Sequence, residues 1–281
     1  MNVDKLDNNK IKKYMTKQLT EAQLAILNSS YPVSEDSSTR LILPRFGILS
    51  KDIVETTGTG KNKKVKIIEA AGTFYTERDL GETNEEGKKV WTKEFIAGET
   101  VDVTIVYHRR QLRKYDDSLG KFISSPIFDN ATQPICLFLD KQIIKRGTQA
   151  ELQACYPALT TKGKPTSDLK EETILYVVYK GEMYQMNISQ SSKWEFKSYA
   201  KTCNPSAVVT TLGSIEDTFG SNTFRKLTFK NKRPIDADEF DTVVESQTKV
   251  KEVVASDEQY FLGGGADAKA DAKMEALAEG K

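Results

Sequence analysis

Residues 101–128, VDVTIVYHRRQLRKYDDSLGKFISSPIF, decide how the rest of the chain is read. The stretch opens as an alternating strand. Val101, Val103, Ile105 and Tyr107 fall on one face, and Asp102, Thr104 and Val106 on the other. It then turns into a basic and aromatic run: His108, Arg109, Arg110, Arg113, Lys114 and Tyr115. A strand that buries one face and ends in cations beside tyrosines builds a core and presents an edge to a polyanion.

The 281 residues suffice for one large β-rich domain or two small ones. Hydrophobic residues at 38% and charged residues at 29% allow a core inside a well-solvated shell. Cys136, Cys155 and Cys203 are odd in number and widely spaced, which speaks against a disulfide framework and for a reducing compartment. The N-terminal residues lack the apolar stretch of a secretory signal. No run approaches the ~20 apolar residues of a membrane span, so a soluble, cytoplasmic protein is expected. The net charge of +1 hides a division. Residues 1–233 carry 36 Lys+Arg against 28 Asp+Glu, a net of +8; residues 234–281 carry 5 against 12, a net of −7. The body is mildly basic and the C-terminal segment acidic.

Residues 10–25 suit a helix, and residues 28–40 have linker composition. Pro44 in LILPRFGIL suits an edge strand or a strand start. Residues 64–75 read as a strand pair or one bent strand, with Gly72 at the bend. Residues 77–93 read as a charged, mobile loop. Residues 173–188 read as a hairpin turning at Lys180, Gly181 and Glu182. A helix follows, capped by Ser191 or Ser192, with Trp194 and Phe196 as core residues. Residues 207–212 and 222–230 are strands around a loop at 213–221. Residues 236–254 form a helix capped by Asp236, with Phe240, Val243, Val244, Val250 and Val253 as its apolar set. The low-complexity residues 263–281 read as a disordered tail. The fold expectation is mainly β with a few helices: an OB-like antiparallel Greek-key barrel with long loops, plus a C-terminal helix and flexible tail. Four segments result: an N-terminal helix and linker (1–40), an OB-like nucleic-acid-binding domain (41–235), an acidic helix (236–262) and the tail (263–281).

Catalytic signatures are absent. The GTGK string at 58–61 lacks phosphate-loop spacing, because Asn62 follows Lys61. The single histidine, His108, sits among cations that depress its pKa, which makes it a poor general base. The three cysteines show no close ligand pair, so no metal or other cofactor is expected; Cys136 and Cys155 read as core thiols. The carboxylate pairs Asp116–Asp117, Glu85–Glu86 and Glu171–Glu172 lie in polar contexts and read as solvated turns.

What remains is basic residues interleaved with aromatics. Tyr107, Arg109, Arg110, Arg113, Lys114 and Tyr115 form one cluster, and Lys145 and Arg146 a second. A third runs through Tyr176, Tyr179, Lys180 and Tyr184 to Lys193, Trp194 and Lys197. Arg225 and Lys226 open a fourth, between Phe224 and Phe229. Cations neutralise phosphates and release counterions, while flat rings stack on unpaired bases at roughly 1–3 kcal/mol each. Together they hold a single strand without reading its sequence.

The segments ISSPIFDNATQPICLFLD (123–140), ILYVVYKGEMYQMNISQSSKWEFKSYAK (174–201) and TFRKLTFKNKRPI (223–235) give the chain a layout that resembles the single-stranded DNA-binding proteins of tailed bacteriophages. The resemblance covers residues 40–235. It implies an OB-like body, single-stranded DNA as partner in replication or recombination, and an acidic C-terminal region for contacts with proteins of those pathways. In a phage-encoded protein the location is the host cytoplasm. The chain ends in ALAEGK rather than in a dense acidic and aromatic tip, which leaves SDEQYFL (256–262) as the candidate tip. The expected function is non-enzymatic, sequence-tolerant single-strand binding, with room for a homo-oligomer. The site residues are Tyr107, Arg109, Arg110, Arg113, Lys114, Tyr115, Lys145, Arg146, Tyr179, Lys180, Tyr184, Arg225 and Lys226. The rival expectation is a phage capsid or tail assembly protein.

Overall fold

The computed structural model describes residues 41–57, 64–85, 89–140, 142–160, 163–188, 190–219 and 222–262. The proposed N-terminal helix, the GTGK string and the C-terminal tail lie outside them. The chain is mainly β and runs β1 (Arg45–Ile48), β2 (Ile53–Thr57), β3 (Lys64–Glu69), β4 (Phe74–Thr83), β5 (Lys89–Ile96), β6 (Thr100–Asp116), β7 (Lys121–Ser124), β8 (Ile135–Leu139) and β9 (Gln142–Gly147). Then come α1 (Gln149–Ala154), β10 (Pro157–Leu159), β11 (Pro165–Ser167), β12 (Lys170–Tyr179), β13 (Glu182–Ile188) and α2 (Gln190–Ala200). A 3₁₀ turn (Pro205–Ala207), β14 (Val208–Phe219), β15 (Asn222–Pro234) and α3 (Ala237–Leu262) complete it.

An 11-stranded sheet dominates, in the order β5-β4-β1-β13-β12-β6-β7-β8-β9, with the β14–β15 hairpin branching from β6. Among the described residues no sheet closes into a barrel, which corrects that part of the expectation. The reason lies in β6. β12 pairs with it from Thr104 to Arg113, while the other side is shared by β14 at residues 100–103 and β7 at residues 113–116. Two branches leave one edge of the same strand, and the sheet stays open.

The opening stretch therefore does not break at His108 but remains a strand of 17 residues. Its side-chain phase does change. Tyr176 pairs with Tyr107 and Val177 with Ile105, so Val106 is an extra residue in a bulge. A one-residue slip exchanges the two faces of a strand. Val101, Val103 and Ile105 stay in the core beneath α2, as expected, but Tyr107 moves to the α3 face beside Val106.

The β12–β13 hairpin forms as read. Lys180 and Gly181 both have positive φ, 50° and 79°, as a two-residue type I′ turn requires. Leu175 and Val177 face α2, while Ile174 and Tyr176 face α3. Pro44 stands just before β1, as a strand-start proline should, yet β1 lies between β4 and β13 rather than at an edge. The Pro44 carbonyl still accepts a hydrogen bond from Gln185 N at 2.9 Å. β3 and β4 are separate strands, with Gly72 at φ 95° between them, and β3 pairs with β2 instead.

Two segments expected as loops are strands. Residues 77–83 belong to β4 and residues 89–93 to β5, which pair antiparallel, so that Glu77 faces Lys93 and Asp79 faces Trp91. Opposite charges directly across the pair favour pairing in a sequence poor in aliphatic residues. Residues 213–219 extend β14 for the same reason, with Glu216 opposite Arg225.

α2 lies on one face of the sheet through Phe196 and Tyr199. Ser192 is not its cap but accepts a hydrogen bond from Leu227 N at 3.0 Å. Trp194, expected in the core, is 65% exposed. α3 covers part of the other face through Phe240, Val243, Val250 and Val253. Asp236 and Glu239 exchange backbone hydrogen bonds at its start, a reciprocal cap. Its far end is anchored: Ser256 accepts from Leu41 N at 2.9 Å, Asp257 from Ile127 N at 3.0 Å, and Phe261 packs on Phe138. The candidate tip at 256–262 is thus one side of a docked helix, not a free end. Cys136 is buried as read, whereas Cys155 ends α1 and is exposed. Among the described residues, no helix is long and apolar enough to cross a membrane.

Replacing Asp257 with Ala removes the acceptor for the buried Ile127 N–H. A loss of about 1–3 kcal/mol is expected, read as a lower urea midpoint at unchanged slope.

Candidate nucleic-acid interface

Between its β14 and β7 branches, β6 has no strand partner on one side except a bridge from Arg110 to Phe128. The 3₁₀ turn and α3 fill part of this gap. Gln247 Nε2 donates to the Val106 carbonyl at 3.1 Å. What remains is a cleft of about 410 Å³, lined by Tyr107, His108, Arg109 and Arg110 from β6 and by Asn204 and Ser206 opposite.

Strand alternation places Arg109 and Arg110 on opposite faces. Arg109 turns to the α3 side, where its guanidinium lies 4.3 Å from the centre of the Tyr107 ring and forms an ion pair with Asp129. Burial lowers its pKa from the arginine range without threatening its charge. The Arg109–Asp129 pair walls the first cleft from a second, of about 320 Å³, which Arg146 also lines.

Arg110 turns to the α2 side, toward Glu171, Lys193 and Lys197. Lys193 Nζ sits 2.6 Å from Glu171 Oε1, with only 8% and 9% of the two side chains exposed. Gln149 Nε2 donates to the other Glu171 oxygen at 2.6 Å. Burial alone would raise the Glu171 pKa, but the hydrogen bonds from Lys193 and Gln149 hold it below the usual glutamate range. Lys197 rides 5.3 Å above the exposed Trp194 ring. Burial, then the charges of Lys193 and Arg110, lower its pKa. Three cations thus crowd one carboxylate. Among the described residues, neither Arg110 nor Lys197 has an ion-pair partner.

His108 joins the two regions: it lines the cleft and meets Phe196 edge-on at 5.1 Å. The residue keeps solvent contact, yet its ring is crowded by protein atoms. That crowding, then Arg110, Arg109 and Lys197, push its pKa down, the direction the sequence implied.

The other predicted residues lie elsewhere. Arg113, Lys114 and Tyr115 stand at the far end of β6, where the Arg113 guanidinium covers the Phe122 ring at 3.8 Å and Tyr115 meets Phe122 at 4.9 Å. Lys114 shares the opposite face with Ile123. Lys145 is exposed beside Cys155, whose thiol raises its pKa. Tyr184 is 3% exposed, packed against Phe46 and Tyr179, so it is a core ring with no face for a base. Its hydroxyl donates to Glu182 at 2.7 Å, and burial with that bond raises its pKa to about 12. Tyr179 packs edge-on against Phe46, with Lys180 over its ring. Arg225 pairs with Glu216, and Lys226 with Glu195 and Asp217. One groove holding all the predicted residues is therefore not formed.

No family model, curated protein or solved structure matches the chain. The functional reading rests on the site alone. Among the described residues, no three His, Cys, Asp or Glu side chains gather as a metal-holding group. What the site offers is accessible positive charge beside an exposed indole. Trp194 and Lys197 supply it on α2, with Lys193 buried beneath them against Glu171, and the sequence-predicted site residues include none of the three. The signal was the spacing in KWEFK, which puts the two lysines one turn apart on a helix.

Glu171→Gln is expected to cost about 3–5 kcal/mol, because Lys193 stays buried without its counter-charge; Glu171→Gln with Lys193→Met should recover most of the loss. A depressed carboxylate stabilises the fold above its unfolded pKa and ceases to do so as pH falls through its folded one. Urea melts of wild type from neutral to acid pH should lose that contribution, and those of the double variant should not.

Proposed function

We propose that the chain binds single-stranded DNA without reading its sequence, in replication or recombination, and performs no catalysis. The observation that carries this reading is the exposed Trp194 ring with Lys197 over it, and Arg110, which lines the β6 cleft, near enough to Lys197 to act on its charge; among the described residues neither cation has an ion-pair partner. Phosphates meet the two cations and a base meets the indole. His108 lies near enough to both cations to feel their charge, while the Glu171–Lys193 pair holds α2 in place. Binding would run across β6, a long strand shared by two branches of an open sheet. Closure of a barrel is not needed for that.

A structural role in particle assembly is the second reading. One observation favours it. The β2–β3 hairpin pairs with no other strand among the described residues, and it exposes Val54, Val65 and Ile67 on one face. An isolated hairpin with an apolar face is marginally stable in water unless something covers it. Assembly predicts stable homo-oligomers and no preference for single strands.

Affinity for oligo-dT should fall steeply with salt. Lys197→Gln or Arg110→Gln should weaken binding and reduce the slope of log K against log salt by about 0.7 each. The lowered Lys197 pKa adds a pH signature: binding should weaken on alkaline titration before ordinary lysines discharge. Fluorescence anisotropy at low salt with no response to oligo-dT would sink the proposal.

A further inference from the structure

We propose that the open part of the α3 face, on the other side of the sheet from Trp194, is a second track for single-stranded nucleic acid. Bases would stack on Trp91, Tyr75 and Phe122, and phosphates would meet Arg45, Lys93 and Arg113. The inference rests on the reading of the chain as a single-strand binder and adds a surface to it.

Seven contacts in sequence join this track across the sheet. Arg45 covers the Trp91 ring at 4.5 Å and is the register partner of Gln185. Gln185 donates to Asn187 at 3.1 Å, and Asn187 to Glu172 at 3.3 Å. Glu172 lies 3.8 Å from Arg113, which covers Phe122, which meets Tyr115. The path crosses β5, β4, β1, β13, β12, β6 and β7, neighbouring strands in one sheet. Six inter-strand steps span about 29 Å. That length suits a segment near the lower end of the roughly 4–16 nucleotides such surfaces hold.

Three rings on the track carry a cation. Besides Arg45 on Trp91 and Arg113 on Phe122, Lys93 stands 4.5 Å over Tyr75. Gly47 makes room for the Tyr75 ring: a Cβ there would come within 2.5 Å of it, so the ring lies against bare backbone. At the Trp91 end of the track the carboxylate is recessed, whereas Glu172, in the middle, is 32% exposed against 35% for Arg113. The Arg45 side chain is 60% exposed and that of Lys93 40%, whereas Glu77, which pairs with both, is 14% exposed. At that end an approaching ligand meets cations and rings, not the acid beneath. That surface complements a polyanion with flat bases: the cation over each ring turns to a phosphate as a base takes its place.

The chain's two tryptophans lie one on each face, which makes the proposal separable from the Trp194 site. In the Trp194→Phe protein, oligo-dT of about 20 nucleotides should quench Trp91 fluorescence. Arg45→Gln with Lys93→Gln should weaken binding about tenfold and abolish that quenching. Circular dichroism would confirm that each variant is folded. If oligo-dT binds by anisotropy and quenches Trp194 in the Trp91→Phe protein, yet leaves Trp91 emission unchanged in the Trp194→Phe protein, the track is wrong and the Trp194 site stands. If no protein binds oligo-dT at low salt, both fall together.

Discussion

The geometry of the candidate site follows from the pairing of β6 with β12 across the Val106 bulge. Before the bulge, β6 places Val101, Val103 and Ile105 into the α2-side core. After it, the same alternation puts Arg109 on the α3 side and Arg110 on the α2 side. The bulge sits where the β14 branch has ended and the β7 branch has not begun, so the displaced strand edge becomes a cleft rather than a ladder. The unpaired Val106 carbonyl is satisfied by Gln247 of α3, which ties the C-terminal helix to this defect.

The charge at the site is arranged in two layers. Glu171 and Lys193 neutralise each other in a nearly dry position and fasten α2 to β12. Arg110 and Lys197 stand outside that pair, with no ion-pair partner among the described residues. A buried pair of this kind contributes little net stability, but its partners are costly to separate. It serves here to fix the helix that carries Trp194. The α3 face shows the same layering with different chemistry: Glu77 lies beneath Arg45 and Lys93, and both cations rest on rings.

Much of the fold was legible from periodicity. The hairpin at 173–188 and the helix from Asp236 carry strong local signals: alternation around a Lys-Gly turn, and a reciprocal cap before a spaced apolar set. The β4–β5 pairing was not legible, because its stabilising pairs are charged and lie on opposite strands, as with Glu77 and Lys93. The bulge was invisible for a related reason: it depends on the register with β12, about 70 residues away in sequence. Missing it misplaced Tyr107. Trp194 was read as core because its neighbours Phe196 and Tyr199 are core, and a short helix gives little leverage on which side a ring faces. Tyr184 erred in the opposite direction, since a tyrosine in an alternating strand fits a buried row as well as a binding surface. The basic and aromatic texture of the sequence was informative in bulk, but only the tertiary fold sorts ion-paired cations such as Arg225 and Lys226 from Arg110 and Lys197.

The most direct test of the central claim is photocrosslinking of the intact chain to oligo-dT carrying a single 4-thiothymidine, with the crosslinked peptide identified by mass spectrometry. Crosslinks to α2 at Trp194, and to β6 around His108 and Arg110, are the predicted result. Crosslinks confined to the β12–β13 turn at Lys180 or to β15 at Arg225 and Lys226 would contradict the account.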